Sequence, residues 1–506
     1  MRCVYAASEV AGFAKTGGLA DVAASLPRAL AERGVESAII MPLYRCVRQA
    51  CKDLRDTDLT FDVSIGFRTV TGSIFRATLP QSQVPVFFIG QPEFFDRDDP
   101  AQGAGLYQFT AADGKKTDYP DNCERFVFFS RAILEVIRLL GFWPQVLHCN
   151  DWQTGLAPVY LREVYHYYHQ PSAQARFRSM RTLLTVHNLA YQGLFWHMDM
   201  PLTGLPWRLF NFEQLEFYGQ MNFLKAGIVF ADAITTVSPT YAREIQTPYY
   251  GCGLQGVLMQ RSRRLHGIVN GVDYATWDPA GDALIAKQYG PDDAPAGKAA
   301  CKRALQRHMG LPDRPRTPLL GIVTRLVDQK GLDLLLPVAP TMLEQDSQLV
   351  VLGQGDSAYE KSLSALSRQF PEKVAVVLAQ DEKLAHQIEA GADMFLMPSR
   401  FEPCGLNQLY SLKYGTVPVV RATGGLADTV VDATQASLKS GKATGFSFVA
   451  YSPEAFLDTV RRALDMYRNQ PESWRALMKA GMTQDWSWAH SAAEYEKLYR
   501  SLAGTE

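Results

Sequence analysis

The sequence predicts an α/β protein made of two doubly wound domains that face each other across a deep cleft. Short runs of apolar and β-branched residues alternate with helix-length segments, the pattern of buried parallel strands joined by helical crossovers. The chain has 506 residues. Because single hydrophobic cores stop growing at ~250–300 residues, we expect more than one domain.

The predicted strands fall into two series, one for each domain. The first series comprises residues 2–7, 38–42, 85–89, 145–149, 182–186 and 233–237. The second series comprises residues 319–325, 348–352, 374–378, 394–398 and 417–420. Since each series repeats strand, helix and strand, each is expected to form one Rossmann-like domain.

A stretch rich in proline and glycine, residues 281–318, separates the two series. We place the domain boundary just upstream of it, which gives an N-terminal domain over 1–272 and a C-terminal domain over 273–480. The remaining residues, 481–506, are predicted to end in a helix that packs back on the N-terminal domain. In doubly wound sheets ligands bind beyond the carboxyl ends of the strands, so the cleft is the expected site.

The composition is that of an ordinary globular enzyme, with 47% hydrophobic and 20% charged residues. A net charge of −1 leaves no global field that would hold nucleic acid or an anionic membrane. The first residues resemble neither a signal peptide nor a transit peptide, and no apolar run reaches membrane-spanning length, so a cytoplasmic location is expected. The eight cysteines form no C-x-x-C pair and are expected to be reduced thiols.

The most informative local feature is a hexapeptide, Thr-Gly-Gly-Leu-Ala-Asp, which occurs at 16–21 and again at 423–428. Each copy leads from a Gly pair into a helical-looking apolar run. A Gly pair lets backbone N–H groups approach an anion, and a helix N-terminus adds unpaired donors and a positive dipole end. Lys15 adds a full charge to the first copy. Both copies therefore predict phosphate-binding turns, although Gly-Gly also serves as plain turn punctuation.

Polar side chains stand at the ends of several predicted strands, where catalytic groups belong in this architecture. His187, Arg325 and Glu402 occupy such positions. Lys330 follows Arg325 by five residues, and a guanidinium near an ammonium suits a diphosphate. The structural alternatives are a hydrogen-bonded histidine, a solvated basic turn and a helix-capping carboxylate.

Two further strand-end groups, Asn150-Asp151-Trp152-Gln153 and Asn270-Gly271-Val272-Asp273, supply polar side chains and an aromatic platform. Carbohydrate sites often have this composition, and so do ordinary turns. No histidine or cysteine cluster has the spacing of a zinc site, and two D-x-D sequences lie in polar loops. The sequence therefore predicts neither a metal nor a resident cofactor.

Five motifs follow one another along the chain: Lys15-Thr16-Gly17-Gly18-Leu19-Ala20-Asp21, His187-Asn188-Leu189-Ala190-Tyr191-Gln192-Gly193, Asn270-Gly271-Val272-Asp273, Arg325 with Lys330-Gly331, and Ser399-Arg400-Phe401-Glu402-Pro403-Cys404-Gly405-Leu406. With this set, the chain resembles bacterial glycogen synthases and plant starch synthases over nearly its whole length. The resemblance implies a GT-B glycosyltransferase fold. It also implies a retaining, metal-free transfer of glucose from ADP-glucose to the non-reducing 4-OH of an α-1,4-glucan.

The resemblance further implies roles for individual residues. The implied catalytic residues are Glu402, which engages the glucose, His187 beside the anomeric centre, and Asp151. The implied donor-binding residues, among which Arg325 and Lys330 hold the diphosphate, are Lys15, Gly17, Gly18, Asp21, Asn270, Arg325, Lys330, Cys404, Gly405, Leu406, Thr423 and Gly424. One departure is Cys149-Asn150-Asp151, where bacterial members often have Ala-His-Asp.

Three other activities stay open. A glycosyltransferase of the same fold could use UDP-glucose or a small acceptor such as a sugar phosphate. A non-catalytic glucan-binding protein and a glycoside hydrolase with Glu402 and Asp151 as paired carboxylates are the others. The joint presence of Lys15, Arg325 and Lys330 favours a phosphorylated donor, which neither of these last two needs. The expected partners are ADP-glucose and glycogen or another α-1,4-glucan, with no nucleic acid and no membrane.

Overall fold

The computed structural model describes residues 1–97, 105–112 and 115–504. The chain divides into two compact units. The first comprises Met1–Val237, Ala242–Gly271 and Trp488–Glu506, and the second comprises Ser238–Tyr241 and Val272–Ser487. The break after Gly271 lies one residue from the boundary expected from the sequence, whereas residues 481–487 belong to the second unit. The cleft between the domains stays a prediction.

The strands of the first unit are β1 (Arg2–Ala6), β2 (Glu36–Pro42), β3 (Arg55–Ile65), β4 (Arg68–Thr78), β5 (Pro85–Gly90), β6 (Gln108–Thr110), β7 (Lys116–Asp118), β8 (Val146–Asn150), β9 (Arg181–Val186), β10 (Leu194–Trp196), β11 (Glu216–Phe217), β12 (Gln220–Asn222), β13 (Ala233–Thr236) and β14 (Leu265–Gly267). Its main sheet has the order β14-β13-β9-β8-β1-β2-β5-β4-β3. The strands from β14 to β5 are parallel, and β4 and β3 add an antiparallel hairpin at one edge.

The helices up to residue 260 are α1 (Gly18–Glu32), α2 (Arg45–Ala50), α3 (Pro92–Phe95), α4 (Asn122–Leu140), α5 (Ala157–Glu163), α6 (Pro171–Ser179), α7 (Met200–Thr203), α8 (Phe223–Phe230), α9 (Pro239–Glu244) and α10 (Gln255–Gln260). α9 begins in the four-residue piece that belongs to the second unit.

The second unit is a parallel α/β domain with the strand order β17-β16-β15-β18-β19-β20. These strands are β15 (Leu319–Val323), β16 (Gln348–Leu352), β17 (Val374–Val377), β18 (Met394–Met397), β19 (Val417–Arg421) and β20 (Phe446–Phe448). Its helices are α11 (Ala294–His308), α12 (Leu332–Glu344), α13 (Ser357–Gln369), α14 (Glu382–Gly391), α15 (Asn407–Tyr414), α16 (Gly424–Thr429), α17 (Gln435–Lys439), α18 (Pro453–Asn469) and α19 (Pro471–Met482).

The last helix, α20 (Trp488–Ala503), belongs to the first unit. Tyr499 on α20 hydrogen-bonds the buried ring of His148 in β8, with 2.6 Å between the hydroxyl oxygen and Nδ1. Arg33, just after α1, pairs with Glu496 at 2.8 Å. Among the described residues, no helix is long and apolar enough to cross a lipid bilayer.

The predicted fold class is confirmed, and every predicted strand is present with ends that differ by at most two residues. The hairpin of β3 and β4 was not predicted. In β3, Phe61, Val63 and Ile65 are buried while the residues between them are exposed. An edge strand with one wet face alternates apolar and polar residues, and the continuous apolar runs used as a strand signal do not detect it.

Both sheets reverse their strand order in the same way. In the first unit, β2 and β5 follow on one side of β1, and β8 begins the series on the other side. In the second unit, the same reversal occurs between β15 and β18. Ligands of open α/β sheets bind at the carboxyl ends of the strands where the order reverses. The loops after β1, β8, β15 and β18 are therefore the expected site segments.

Candidate active site

A cavity of about 190 Å³ opens at the reversal point of the second unit. It lies where β15 and β18 end, and both strands contribute to its wall. Among the residues predicted from the sequence, Arg325, Lys330, Glu402, Gly405 and Leu406 line it. The fold thus brings two cations and one carboxylate into a single cavity.

Glu402 and Lys330 form an ion pair in this cavity, with 2.6 Å between Oε2 and Nζ. Their side chains are 8% and 17% exposed, so water screens the pair only weakly. The Ser399 hydroxyl donates to the same carboxylate oxygen at 3.1 Å. The carboxylate is therefore held in one position by an ammonium and a hydroxyl.

The second hexapeptide supports the Glu402 loop from behind. Gly425 donates its N–H to the carbonyl oxygens of Glu402 and Pro403 at 3.1 and 3.2 Å. A Cβ at Gly424 would lie 1.9 Å from the Glu402 carbonyl oxygen, and one at Gly425 would lie 2.0 Å from the Cys404 oxygen. Only glycine permits this approach of two backbones.

Three predicted donor-binding residues of the second unit therefore lie outside the cavity wall. Thr423 is fully buried, Gly424 packs against the Glu402 loop, and Cys404 is 5% exposed. The geometry supports a part for them in holding the loop. A direct contact of these residues with the donor stays a prediction.

The first hexapeptide has an open surface. α1 begins at Gly18, and a Cβ at Gly17 or Gly18 would meet no atom within 4 Å, apart from chain neighbours and the backbone of the helix itself. Lys15 is half-exposed and pairs with Asp21 at 2.7 Å. These residues stand after β1, at the reversal point of the first unit. The predicted Lys15, Gly17, Gly18 and Asp21 thus lie together on an accessible turn.

Glu9 occupies part of this turn. Its carboxylate accepts hydrogen bonds from the Thr16 N–H at 2.5 Å, the Thr16 hydroxyl at 2.7 Å and the Gly17 N–H at 3.1 Å. The Tyr107 hydroxyl donates to it at 2.8 Å. The Gly17 amide is therefore already used within the chain, and the Gly18 end of the turn is the part left for a ligand.

Asp151 and His187 lie next to each other after β8 and β9. The His187 N–H donates to Asp151 Oδ1 at 2.8 Å. Asp151 has a φ of 53°, which a non-glycine residue adopts only under strain, and such strain concentrates at functional sites. Burial raises the pKa of Asp151 to about 7 and lowers the pKa of His187 to about 3. His187 is therefore neutral at neutral pH.

Asn270, the remaining predicted residue, is buried in the first unit beyond β14. Its Oδ1 has no hydrogen-bond partner within the part of the chain that the structure describes. A buried carbonyl oxygen without a donor is uncommon in folded proteins, and a ligand hydroxyl would satisfy it.

Over the described ranges, no group of three or more His, Cys, Asp and Glu side chains could hold a metal ion. The absence of a metal from the reaction stays a prediction.

Sequence reasoning missed Glu9, Tyr107, Ser399 and Asn407. Asn407 lines the cavity of the second unit, and its side chain donates to the Val323 carbonyl oxygen at 2.6 Å. The strand-end signal was available for Glu9, an acid three residues beyond a buried strand, and for Ser399, which directly follows the predicted strand 394–398. Tyr107 reaches Glu9 from a distant segment, a contact that spacing cannot show.

Comparisons with known proteins agree with this architecture. Residues 2–260 match the family model described as the starch synthase catalytic domain, and residues 310–479 match the model for glycosyl transferases group 1. A sucrose-phosphate synthase structure from Thermosynechococcus elongatus has a TM-score of 0.59 at 17% identity, covers both chains fully, and shows the fold alone. Together with the paired Rossmann-like units, these matches define a GT-B glycosyltransferase.

Relatives of higher sequence identity identify the family within this class. The glycogen synthase of Anaeromyxobacter dehalogenans is 48% identical over 99% of this chain and 100% of its own length. Glycogen synthase 2 of Geobacter sulfurreducens is 46% identical over 100% and 99%. The catalytic domain of starch synthase IV from Arabidopsis thaliana, solved with ADP and acarbose, has a TM-score of 0.88 at 33% identity and 99% coverage of both chains. The chain belongs to the glycogen synthase and starch synthase family and is a glucosyltransferase.

Proposed function

We propose that this protein is a glycogen synthase that transfers glucose from ADP-glucose to the non-reducing 4-OH of an α-1,4-glucan and releases ADP. The observation that carries the proposal is the cavity at the reversal point of the second unit, where Arg325 and Lys330 stand beside Glu402. A cavity for a neutral sugar alone has no need of two cations. Bond cleavage in a sugar nucleotide leaves negative charge on the departing diphosphate, which such cations stabilise.

Lys330 and Arg325 are proposed to bind the diphosphate. An ammonium supplies a point charge, and a guanidinium supplies a planar fork that fits two phosphate oxygens. Because charge on the leaving group grows as the glycosidic bond breaks, both cations act more strongly on the transition state than on bound ADP-glucose. The Gly405 and Leu406 backbone at the cavity wall is proposed to contact the same donor.

Glu402 is proposed to act on the glucose. Its carboxylate is fixed by Lys330 and Ser399, so it is ready to accept hydrogen bonds from sugar hydroxyls and to face the positive charge that develops at the anomeric carbon. His187 and Asp151, with Lys15 and Gly18, are proposed to bind sugar and phosphate groups of the substrates. Asn270 would accept a hydroxyl of the bound sugar nucleotide.

Retention of configuration is proposed to proceed on one face of the sugar, with the leaving phosphate deprotonating the acceptor hydroxyl. A double displacement would need a carboxylate nucleophile at the anomeric carbon. Among the described residues that line the cavity, Glu402 is the carboxylate, and its Oε2 is engaged by Lys330 and Ser399. This arrangement favours an electrostatic part for Glu402 over nucleophilic attack.

The test is incorporation of labelled glucose into glycogen from ADP-glucose and from UDP-glucose in parallel. We expect incorporation from ADP-glucose, in agreement with the ADP bound to the starch synthase IV relative. Glu402→Gln serves as the low-activity control. Incorporation from UDP-glucose alone would change the assigned donor, and no incorporation from either would overturn the proposal. Digestion of the labelled product with an enzyme specific for α-1,4 linkages checks the bond formed.

A further inference from the structure

A buried hydrogen-bond network holds the ring of His187 from one side. His187 Nε2 lies 2.9 Å from Oδ1 of Asn150, the last residue of β8. The hydroxyl of Tyr5, on the neighbouring strand β1, lies 2.8 Å from the same oxygen. Asn150 is fully buried and Tyr5 is 1% exposed, so water does not compete for these contacts.

The backbone fixes which way the Asn150 amide points. Its Nδ2 donates to the Ala6 carbonyl oxygen at 3.0 Å. In the flipped orientation, two carbonyl oxygens would face each other at that distance without a proton between them. Asn150 therefore presents its oxygen to both Tyr5 and His187.

This oxygen can only accept hydrogen bonds. Burial raises the pKa of Tyr5 well above its usual value, so its hydroxyl keeps its proton and donates. The remaining lone pair of Oδ1 faces His187 Nε2, which must then carry a proton. In a neutral imidazole, a proton on Nε2 leaves a lone pair on Nδ1. Over the described ranges, Nδ1 of His187 makes no hydrogen bond to another residue.

We infer that Asn150, braced by Tyr5 and oriented by the Ala6 carbonyl, is a positioning residue that holds His187 in the Nε2–H tautomer, so that Nδ1 accepts a hydrogen bond from a hydroxyl of the substrate. The identity of that hydroxyl as one of a sugar rests on the proposed function, whereas the tautomer rests on the network alone. His187 thus serves as a neutral acceptor and not as a proton donor.

Several ionisable groups lie near this network, Cys3 and Tyr495 beside Tyr5 among them, and within the described residues none of them hydrogen-bonds His187 Nε2. Asp151 accepts from the His187 backbone N–H and does not contact the ring nitrogens by a hydrogen bond. Tyr5 is the donor already described. His148 is buried on β8, where Tyr499 and Thr185 occupy its two nitrogens. Glu9 bonds to the Thr16 turn. Because an amide does not titrate, the tautomer is expected to be independent of pH.

The first test measures the tautomer directly in the ligand-free, full-length protein. Long-range ¹H–¹⁵N spectra of protein labelled at histidine distinguish Nε2–H, Nδ1–H and imidazolium forms, and His187→Gln identifies the His187 signals. We expect the Nε2–H form, unchanged between pH 6 and 8. An Nδ1–H ring or an imidazolium in this range would overturn the inference. Since no substrate is present, this result does not depend on the proposed function.

The second test changes the acceptor. Asn150→Ala is expected to give a mixture of the two neutral tautomers and to lower kcat about 10- to 30-fold, with the KM for ADP-glucose changed by less than about threefold. Tyr5→Phe leaves the Ala6 contact in place and is expected to keep the Nε2–H form with a smaller loss of kcat.

Asn211→Ala is the control: the Asn211 side chain bonds the Arg208 carbonyl and the Gln214 side chain and not the His187 network, so kcat should stay unchanged. Thermal unfolding of all three variants separates loss of stability from loss of positioning. Retention of the Nε2–H form and of wild-type kcat in a folded Asn150→Ala protein would contradict the inference. Absence of glucose transfer by the wild type would instead overturn the proposed function and leave the tautomer result standing.

Discussion

The two copies of Thr-Gly-Gly-Leu-Ala-Asp are identical in sequence and differ in what surrounds them. In the first copy, the Gly pair faces open space at the start of α1, a helix of fifteen residues. In the second copy, the Gly pair packs against the backbone of the Glu402 loop, and α16 has six residues. The first copy offers donors to a ligand, whereas the second holds another loop in place.

The carboxyl ends of the two copies also differ. Asp21 pairs with Lys15 on a half-exposed turn. Asp428 accepts hydrogen bonds from the N–H and the hydroxyl of Thr240 at 2.8 and 2.6 Å, at the start of α9. One aspartate therefore orients a cation, and the other caps a helix. A motif therefore specifies a local conformation, while its neighbours decide whether that conformation is exposed or packed.

The largest difference in stability is expected when one glycine of each copy is replaced by alanine. Gly425→Ala places a Cβ 2.0 Å from the Cys404 oxygen, so we expect a loss of about 3 kcal/mol of stability and of nearly all activity. Gly18→Ala meets no atom outside its own helix, and alanine in a helix should add roughly 0.5–1 kcal/mol of stability.

Chemical denaturation and glucose incorporation measure the two variants side by side. If Gly18→Ala has lower kcat/KM in spite of unchanged or higher stability, the first turn lies close to a ligand. Equal stability losses in both variants would show that the two Gly pairs have similar surroundings in solution.

The second-largest difference is expected in kcat when the carboxylates beside the two turns, Glu402 and Glu9, are replaced. Glu402→Gln keeps the shape and removes the charge, so kcat should fall about 10²- to 10³-fold if the carboxylate faces positive charge in the transition state. Glu9→Gln keeps one acceptor oxygen for the turn amides, and we expect a loss of about 1 kcal/mol of stability with kcat reduced less than tenfold. Steady-state kinetics with ADP-glucose measures the kcat of both variants. Equal losses of kcat would place both acids at the reacting centre.

Replacement of the two lysines should give a smaller difference in kcat/KM. Lys330→Ala removes a cation whose side chain is 17% exposed, and kcat/KM should fall by ~1.5–3 kcal/mol of transition-state binding. Lys15→Ala removes one that is 54% exposed, where solvent screens each interaction, so a loss of about 1 kcal/mol is expected. Raising the salt concentration should therefore reduce the effect of Lys15→Ala on kcat/KM more than the effect of Lys330→Ala. An unchanged kcat/KM for Lys330→Ala would remove it from the donor site.

Replacement of the two aspartates is expected to give the smallest difference in stability between the copies. Asp428→Ala removes two hydrogen bonds at a helix start, which costs about 1–2 kcal/mol. Asp21→Ala removes a half-exposed ion pair, which costs at most about 1 kcal/mol. Denaturant titration resolves this difference, and the reverse order would show that the cap at Thr240 does not hold in solution.

Much of the fold could be predicted from the sequence because buried parallel strands are continuous apolar runs, and such runs need no knowledge of their neighbours. The β3–β4 hairpin was not predicted because its apolar residues alternate with polar ones. In the site, Arg325, Lys330 and Glu402 could be predicted from the sequence. Arg325 ends a predicted strand, and Lys330 and Glu402 lie a few residues after one. Ser399 also directly follows a predicted strand and bonds Glu402 only three residues further along the chain, so its role could have been predicted. The contact of Asn407 with the Val323 carbonyl could not, because it exists only after β15 and β18 have paired.

By itself, the sequence determined where chemistry could occur: apolar periodicity set the strands, and their ends set the positions of the cations, the acids and the two Gly turns. Only the tertiary structure decided which groups meet. It turned one Gly pair toward solvent and the other toward a loop, joined Lys330 to Glu402, and aligned Tyr5 and Asn150 on His187. The physical reason is that hydrogen bonds and ion pairs between distant segments depend on distances of a few ångströms that spacing along the chain does not contain.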